Sequence, residues 1–250
     1  RHAITKMSHF HYVIHKDYRE RLIQMGEESW RIKNYGAPGL DNIFDFSIKN
    51  VENYEKRNKI KIPNRFCLAC FHPVTLELID LKRQIRSFLK ALDNIEISIV
   101  FTYPNADPGT LTIIREIKKF KIKKGFKKLI FKNAGSDIYN YLMSRAQFMV
   151  GNSSSGIVEA ASFKLPVINI GSRQNGKVHP DNVINVNCDE LSITKGIKKS
   201  QTLKFRKILK KMRNPYGNGS AGRKIAKSLS KLNIKSQKIL RKKFIDYDIS

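Results

Sequence analysis

The segment MVGNSSSGIVEAASFKLPVINIGSRQ, residues 149–174, reads as one complete strand–turn–helix–strand unit. An apolar run ends at Val150 and a turn of small polar residues follows from Gly151 to Gly156. A helical stretch, IVEAASF, comes next, and a second apolar run, PVINI, closes the unit. Working upstream, the same alternation repeats: RFCLACF (65–71), LIDLKRQIRSFLKAL (78–92), IEISIVFTY (95–103), GTLTIIREIKKF (109–120), KKLIF (127–131) and SDIYNYLMSRA (136–146). Downstream come NVINV (182–186) and a helix from Asp189 to Lys199. Strands that are apolar throughout, such as IEISIV and PVINI, are buried on both faces. The pattern therefore predicts an α/β fold with a doubly wound parallel sheet, Rossmann-like, with ligands at the C-terminal strand ends.

The chain divides into four expected segments. Residues 1–48 read as helix, strand, helix and short strand, too few pieces for a sheet domain, and so as the remnant of one. Residues 49–63 are polar, end in proline and read as a linker. Residues 64–213 form the Rossmann-like domain, and 214–250 a terminal helix with a basic tail. Beginning on Arg1 with no secretion-signal layout, the chain is expected to be a truncated start.

Composition narrows the function classes. No run approaches the ~20 apolar residues of a membrane span. Cys67, Cys70 and Cys188 are too few for a disulfide framework, and a reducing, cytoplasmic setting is expected. Cys67 and Cys70 stand three apart in a strand and face opposite sides, which argues against a shared metal or disulfide. The net charge of +27 favours any polyanion, nucleic acid included, yet the lysines are scattered and show no basic face interleaved with aromatics. A nucleic-acid partner is therefore not expected, and no metal or other cofactor is called for. His9, His11 and His15 alternate on one side of a strand without a partnering acid or cysteine pattern.

Three polar loop tips follow three separate strands and converge on one sheet edge. The first holds Ser153 and Ser154, where small side chains and a helix start offer N–H groups to a diphosphate. An ordinary serine cap fits the same residues. Glu159, four residues beyond Ser155, is one too far for a capping box and is free to face a ligand. The second tip is CFHPVT, which sets His72 at the strand end. The third is FTYPNADPG, which sets Asn105 there, although an isolated histidine reads equally as a polar surface group and an Asn- and Asp-containing stretch as a plain turn. Arg173 follows PVINI and is in reach of a phosphate or carboxylate.

RHAITKMSH (1–9), GAPGLDN (36–42), HPVT (72–75), PNADPG (104–109), GNSSSGIVEA (151–160), PVINIGSRQ (166–174) and NPYGNG (214–219) occur in one order with close spacing. Together they strongly resemble the hydrolysing UDP-N-acetylglucosamine 2-epimerases of sialic and related nonulosonic acid synthesis. The resemblance implies the C-terminal part of a two-domain GT-B-like fold, a UDP-sugar substrate and a homo-oligomer at full length. It implies that Ser153 and Ser154 hold the diphosphate, Glu159 the ribose and Ala134 the uracil through its backbone, with Asn105 and Arg173 lining the pocket. His72 would lie near the scissile anomeric bond, approached by Arg1. The family's acidic residues precede the RHAITK stretch, so a chain starting at Arg1 is expected to bind UDP without the full catalytic set. Lys132 matches the lysine of the family's uracil loop, but KNAG stands where KSLG is usual. A bacillosamine-type sugar nucleotide remains the second substrate reading.

Overall fold

In the computed structural model, which describes residues 2–246, the apolar runs form two parallel sheets in two separate units. The first unit comprises Arg1–Ile43 with Asn214–Ser250. It opens with α1 (His2–Met7), β1 (His11–Val13), α2 (Lys16–Gln24) and β2 (Ile32–Asn34), and β1 pairs in parallel with β2, His11 opposite Ile32. His15 caps α2 by accepting the Asp17 N–H on its ring nitrogen.

The second unit, Phe44–Arg213, begins with α3 (Ile48–Asn58) and continues β3 (Phe66–Cys70), α4 (Leu81–Asp93), β4 (Ser98–Thr102), α5 (Thr110–Lys119), β5 (Lys128–Phe131) and α6 (Gly135–Arg145). It ends with β6 (Met149–Gly151), β7 (Val167–Ile170), β8 (Val183–Val186), α7 (Glu190–Ser200) and α8 (Leu203–Lys211). The six strands are all parallel in the order β5-β4-β3-β6-β7-β8. Both sheet faces are covered, as the uninterrupted apolar strands require. Ile85, Phe88, Phe101 and Ile193 fill the core on one face, and Phe66, Val100, Leu142 and Leu165 that on the other. Cys67 belongs to the first of these cores and Cys70 to the second, the alternation expected of residues three apart in a strand.

Two local expectations are corrected. Residues 49–63, read as a linker, carry most of α3: Ser47 accepts the Asn50 N–H as its cap, Val51 is buried, and Tyr54 stacks on Phe131 at 5.6 Å. A two-residue apolar stripe in a segment of Lys, Asn and Glu was too sparse to reveal the helix. The stretch IVEAASF, read as a regular helix, is instead a 3₁₀ turn at Ser154–Gly156 followed by irregular helical turns through Lys164. Its N–H groups reach back by four, five and three residues in turn: Glu159 to Ser155, Ala160 to Ser155, Ser162 to Glu159. The chain leaves these turns at Lys164 with φ of +52°, a left-handed exit that returns Leu165 to the core.

The first unit is completed by α9 (Ala221–Leu229) and α10 (Gln237–Leu240). Asp41 caps α9 by accepting the N–H groups of Ala221 and Gly222, each at 2.7 Å. The tail beyond Ser236 is anchored inward. Arg31, with no exposed surface, donates to the carbonyls of Lys238, Ile239 and Arg241 at 2.8, 3.0 and 3.2 Å and pairs with Glu28 at 2.5 Å. Lys242 donates to the carbonyls of Thr5, Lys6 and Ser8, closing the end of α1, and meets buried Glu27 at 2.6 Å. Burial works against the charge of Glu27, but bonds from Lys242, His11 and Lys6 outweigh it and hold its carboxyl below the usual range. Arg31→Ala is expected to lower the stability of this unit by about 3–5 kcal/mol, since it removes the charge partner of Glu28 and the donor that holds the tail carbonyls. Denaturant midpoints would measure the loss, and faster tryptic cleavage at Lys238 would report the released tail.

Candidate functional site

In the second unit the chain starts its sheet in the middle. It leaves β3 towards β4 and β5, then returns on the other side to β6, so the strand order reverses between β3 and β6. Helices cross to opposite faces at such a point and leave a crevice beyond the strand ends. A cavity of about 520 Å³ occupies it, walled by His72 after β3, Asn105 after β4, Lys132 to Ser136 after β5, and Ser153 and Ser155 after β6. Tyr139 of α6, Cys70 and the ends of β4 and β5 complete the wall.

The junction of β3 and β6 is unusually tight. Gly151 has φ of +143°, and a Cβ there would sit 1.8 Å from the Cys70 carbonyl oxygen, so only glycine fits. That approach brings Asn152, 1% exposed, against the turn after β3. Its Oδ1 accepts the His72 N–H at 2.7 Å and its Nδ2 donates to the His72 carbonyl at 2.8 Å, clamping both backbone groups of that residue. The Asn152 carbonyl in turn accepts from Arg173 Nη1 at 3.0 Å and from Gln174 Nε2 at 2.7 Å. One buried residue, through its side-chain amide and its main-chain carbonyl, thus ties the loops after β3, β6 and β7 together.

On the opposite wall, three hydroxyls form a chain: Ser153 Oγ lies 2.9 Å from Ser155 Oγ, which lies 2.6 Å from Tyr139 Oη. Burial pushes the Tyr139 phenol up, so it stays protonated and can donate. Uncharged hydroxyls that can donate suit an anionic oxygen. The Glu159 carboxyl is pushed up, burial outweighing the backbone hydrogen bond and Lys177 charge that favour its ionised form, and its Oε2 is buried without a partner among the described residues. An unpaired buried acceptor of this kind is costly unless a ligand hydroxyl or water meets it.

Of the residues singled out in the sequence, the cavity gathers His72, Asn105, Ala134 and Ser153. Arg173 adjoins it through Asn152. Ser154, exposed, and Glu159 lie on the turn after Ser153 but form no part of the wall, and Arg1 lies outside the described residues. Sequence reasoning missed Asn152, Ser155, Tyr139 and Cys70. Asn152 stands inside the GNSSSG run, and its tightly enclosed position was signalled only by the neighbouring glycine. The three alternating histidines have ordinary work: His11 bonds Glu27 at 2.9 Å, His15 caps α2, and His9 lies 3.4 Å from the Leu240 carbonyl. A larger cavity of about 880 Å³ at the ends of β7 and β8 mixes Glu77, Asp80 and Asp189 with Arg83, Lys195 and Lys199. Its charges offset one another, and although the far end of the segment after β3 and the loop after β7 reach it, none of His72, Asn105, Ala134 and Ser153 lines it.

Burial, and then the positive charge of Arg173, lower His72 from 6.5 to about 4, with Asp107 opposing. A base whose folded pKa is depressed is neutral when folded but takes up a proton when unfolded. Stability therefore falls as pH drops through the window from about 6.5 to about 4, by about 3 kcal/mol in all. His72→Gln should flatten that part of the pH dependence relative to the parent chain, a difference read from paired urea titrations.

No described helix is long and apolar enough to cross a membrane. The family model described as UDP-N-acetylglucosamine 2-epimerase matches residues 1–230. The GDP/UDP-N,N'-diacetylbacillosamine 2-epimerase (hydrolyzing) of Campylobacter jejuni is 38% identical over 247 residues, 98% of this chain and 64% of that protein. The UDP-N,N'-diacetylbacillosamine 2-epimerase (hydrolyzing) of Legionella pneumophila is 36% identical over 237 residues, 95% of this chain and 61% of that protein. The chain thus spans somewhat over 60% of the length of these relatives. Among solved structures, the UDP-GlcNAc 2-epimerase of Neisseria meningitidis bound to UDP-GlcNAc shares the fold, with a TM-score of 0.74 at 17% identity, covering 91% of this chain and 63% of that one. With the six-stranded parallel sheet of a GT-B-type domain in hand and the match running through residue 230, the chain belongs to the UDP-N-acetylglucosamine 2-epimerase family.

Proposed function

We propose that this chain forms the UDP-binding part of a hydrolysing UDP-sugar 2-epimerase. The observation that supports it best is the gathering of His72, Asn105, Ala134 and Ser153 around one crevice at the reversal of strand order. In this reading Ser153 and Ser154 hold the diphosphate, aided by N–H groups of the turn. Glu159 takes a ribose hydroxyl on its unpartnered oxygen, Ala134 meets the uracil through its backbone, and Asn105 and Arg173 line the nucleotide. His72 lies at the anomeric bond, and Arg1 carries the role that the family pattern gives it at the reacting sugar.

The reaction is loss of UDP from C1 with removal of the C2 proton, which gives a glycal, followed by water addition that leaves the inverted 2-epimer. Proton transfer at carbon needs a positioned acid and base. The sugar is UDP-N-acetylglucosamine, in keeping with the family description, or a diacetylbacillosamine nucleotide, in keeping with the names of the Campylobacter and Legionella relatives. Product analysis with the full-length protein, offered each nucleotide in turn, separates the two.

Isothermal titration of the 250-residue chain with UDP is expected to show one site. Ser153→Ala and Glu159→Ala should each weaken it about fivefold, the worth of one hydrogen bond of ~1 kcal/mol. Absence of any UDP binding by the parent chain would defeat the proposal.

A further inference from the structure

The two ring nitrogens of His72 meet partners of different kinds. The main-chain N–H of Asn105 approaches Nδ1 at 3.3 Å. An amide N–H only donates, so Nδ1 must present its lone pair. The ring is neutral near pH 7, because burial and the charge of Arg173 disfavour the imidazolium. Its single proton therefore sits on Nε2. Nε2 lies 3.2 Å from Sγ of Cys70, a buried group whose thiol is pushed up and stays uncharged. Sulfur is a weak acceptor, and the thiol hydrogen remains free to turn away from the ring. The Asn152 clamp fixes the backbone of His72, and the side chain it carries is itself buried.

We propose that His72 acts as a neutral Nε2–H hydrogen-bond donor in the cavity, and that Cys70 is the positioning residue that holds this N–H until an anionic oxygen of the bound nucleotide displaces the sulfur. A phosphate oxygen is a much stronger acceptor than a thiol, so the exchange favours the ligand, while the weak sulfur contact keeps the tautomer fixed in the empty site. The assignment rests on the UDP-sugar reading only for the identity of the incoming oxygen. It also restricts the chemistry: with Nε2 already protonated and Nδ1 held by a main-chain donor, His72 is not the base that removes a proton from carbon. The charged groups acting on the ring are Arg173 from the loop after β7 and Asp107 from the loop after β4, and burial with Arg173 outweighs Asp107.

The test is a long-range proton–nitrogen correlation spectrum of the 250-residue chain labelled at histidine nitrogens, with the His72 signals identified by their absence in His72→Gln. Between about pH 5.5 and 8 the expected pattern is protonated Nε2 and bare Nδ1. UDP should move the Nε2 resonance, and uridine, which lacks the phosphates, should not. Cys70→Ala should speed exchange of the Nε2 proton about fivefold or more, the effect of losing one weak bond, and Cys70→Ser should restore the parent rate. An Nδ1-protonated ring, an imidazolium at pH 7, or an Nε2 proton indifferent to Cys70→Ala would overturn the inference. A chain that binds UDP with the Nε2 resonance unmoved also overturns it and leaves the nucleotide reading intact. A chain with the expected tautomer on Cys70 but no uptake of UDP sinks the nucleotide reading and leaves the donor assignment standing.

Discussion

The close passage of Gly151 against the carbonyl of Cys70 is the constraint from which the site follows. Side chains of paired strands normally stand off the sheet faces, but at the φ of +143° that Gly151 adopts a Cβ would point straight at the neighbouring carbonyl. The missing Cβ lets β6 run on beside β3 far enough for Asn152 to reach the turn that carries His72. From there the side-chain amide fixes His72, and the main-chain carbonyl of Asn152 fixes Arg173 and Gln174. A single steric allowance in the backbone thus becomes a rigid rim joining three loops.

Much of this was legible in the sequence because it depends on period. Fully apolar strands separated by helical segments dictate a covered parallel sheet, and strand ends carrying His72, Asn105 and Ser153 must then share an edge. What could not be read is the set of contacts that depends on register. Asn152 looked like one more small polar residue of a turn, and nothing local distinguishes an amide that clamps a neighbouring loop from one that faces water. Tyr139 lies on α6, and its hydroxyl meets Ser155 only because β5 and β6 flank β3 and β4 in an order that periodicity does not specify. The helix expected after Ser155 failed for a related reason. Its N–H groups find carbonyls at three, four and five residues, a compromise imposed by the short path from β6 to β7.

The motifs that carried the family resemblance divide by unit into two kinds. HPVT, PNADPG and GNSSSG supply walls of the cavity. GAPGLDN and NPYGNG pack on one another in the first unit: the Ala37 N–H donates to the Tyr216 carbonyl at 2.8 Å, and a Cβ on Gly36 would lie 2.7 Å from that same oxygen. Asp41, at the end of the first of these motifs, caps α9 just beyond the second. Their glycines serve a backbone crossing, and their place in the pattern speaks for shared architecture more than for contact with a nucleotide.

The anchoring of the tail changes what the formal charge of the chain means. A guanidinium whose N–H groups are already spent on Glu28 and on main-chain oxygens, and an ammonium that holds three carbonyls and a carboxylate, have no donor left to offer a phosphodiester. Counting lysines and arginines along residues 237–246 as a polybasic arm would assign them a valence towards polyanions that folding has partly consumed. In this tail Lys242 is internal glue, its charge answered by Glu27 and its remaining N–H groups by main-chain oxygens.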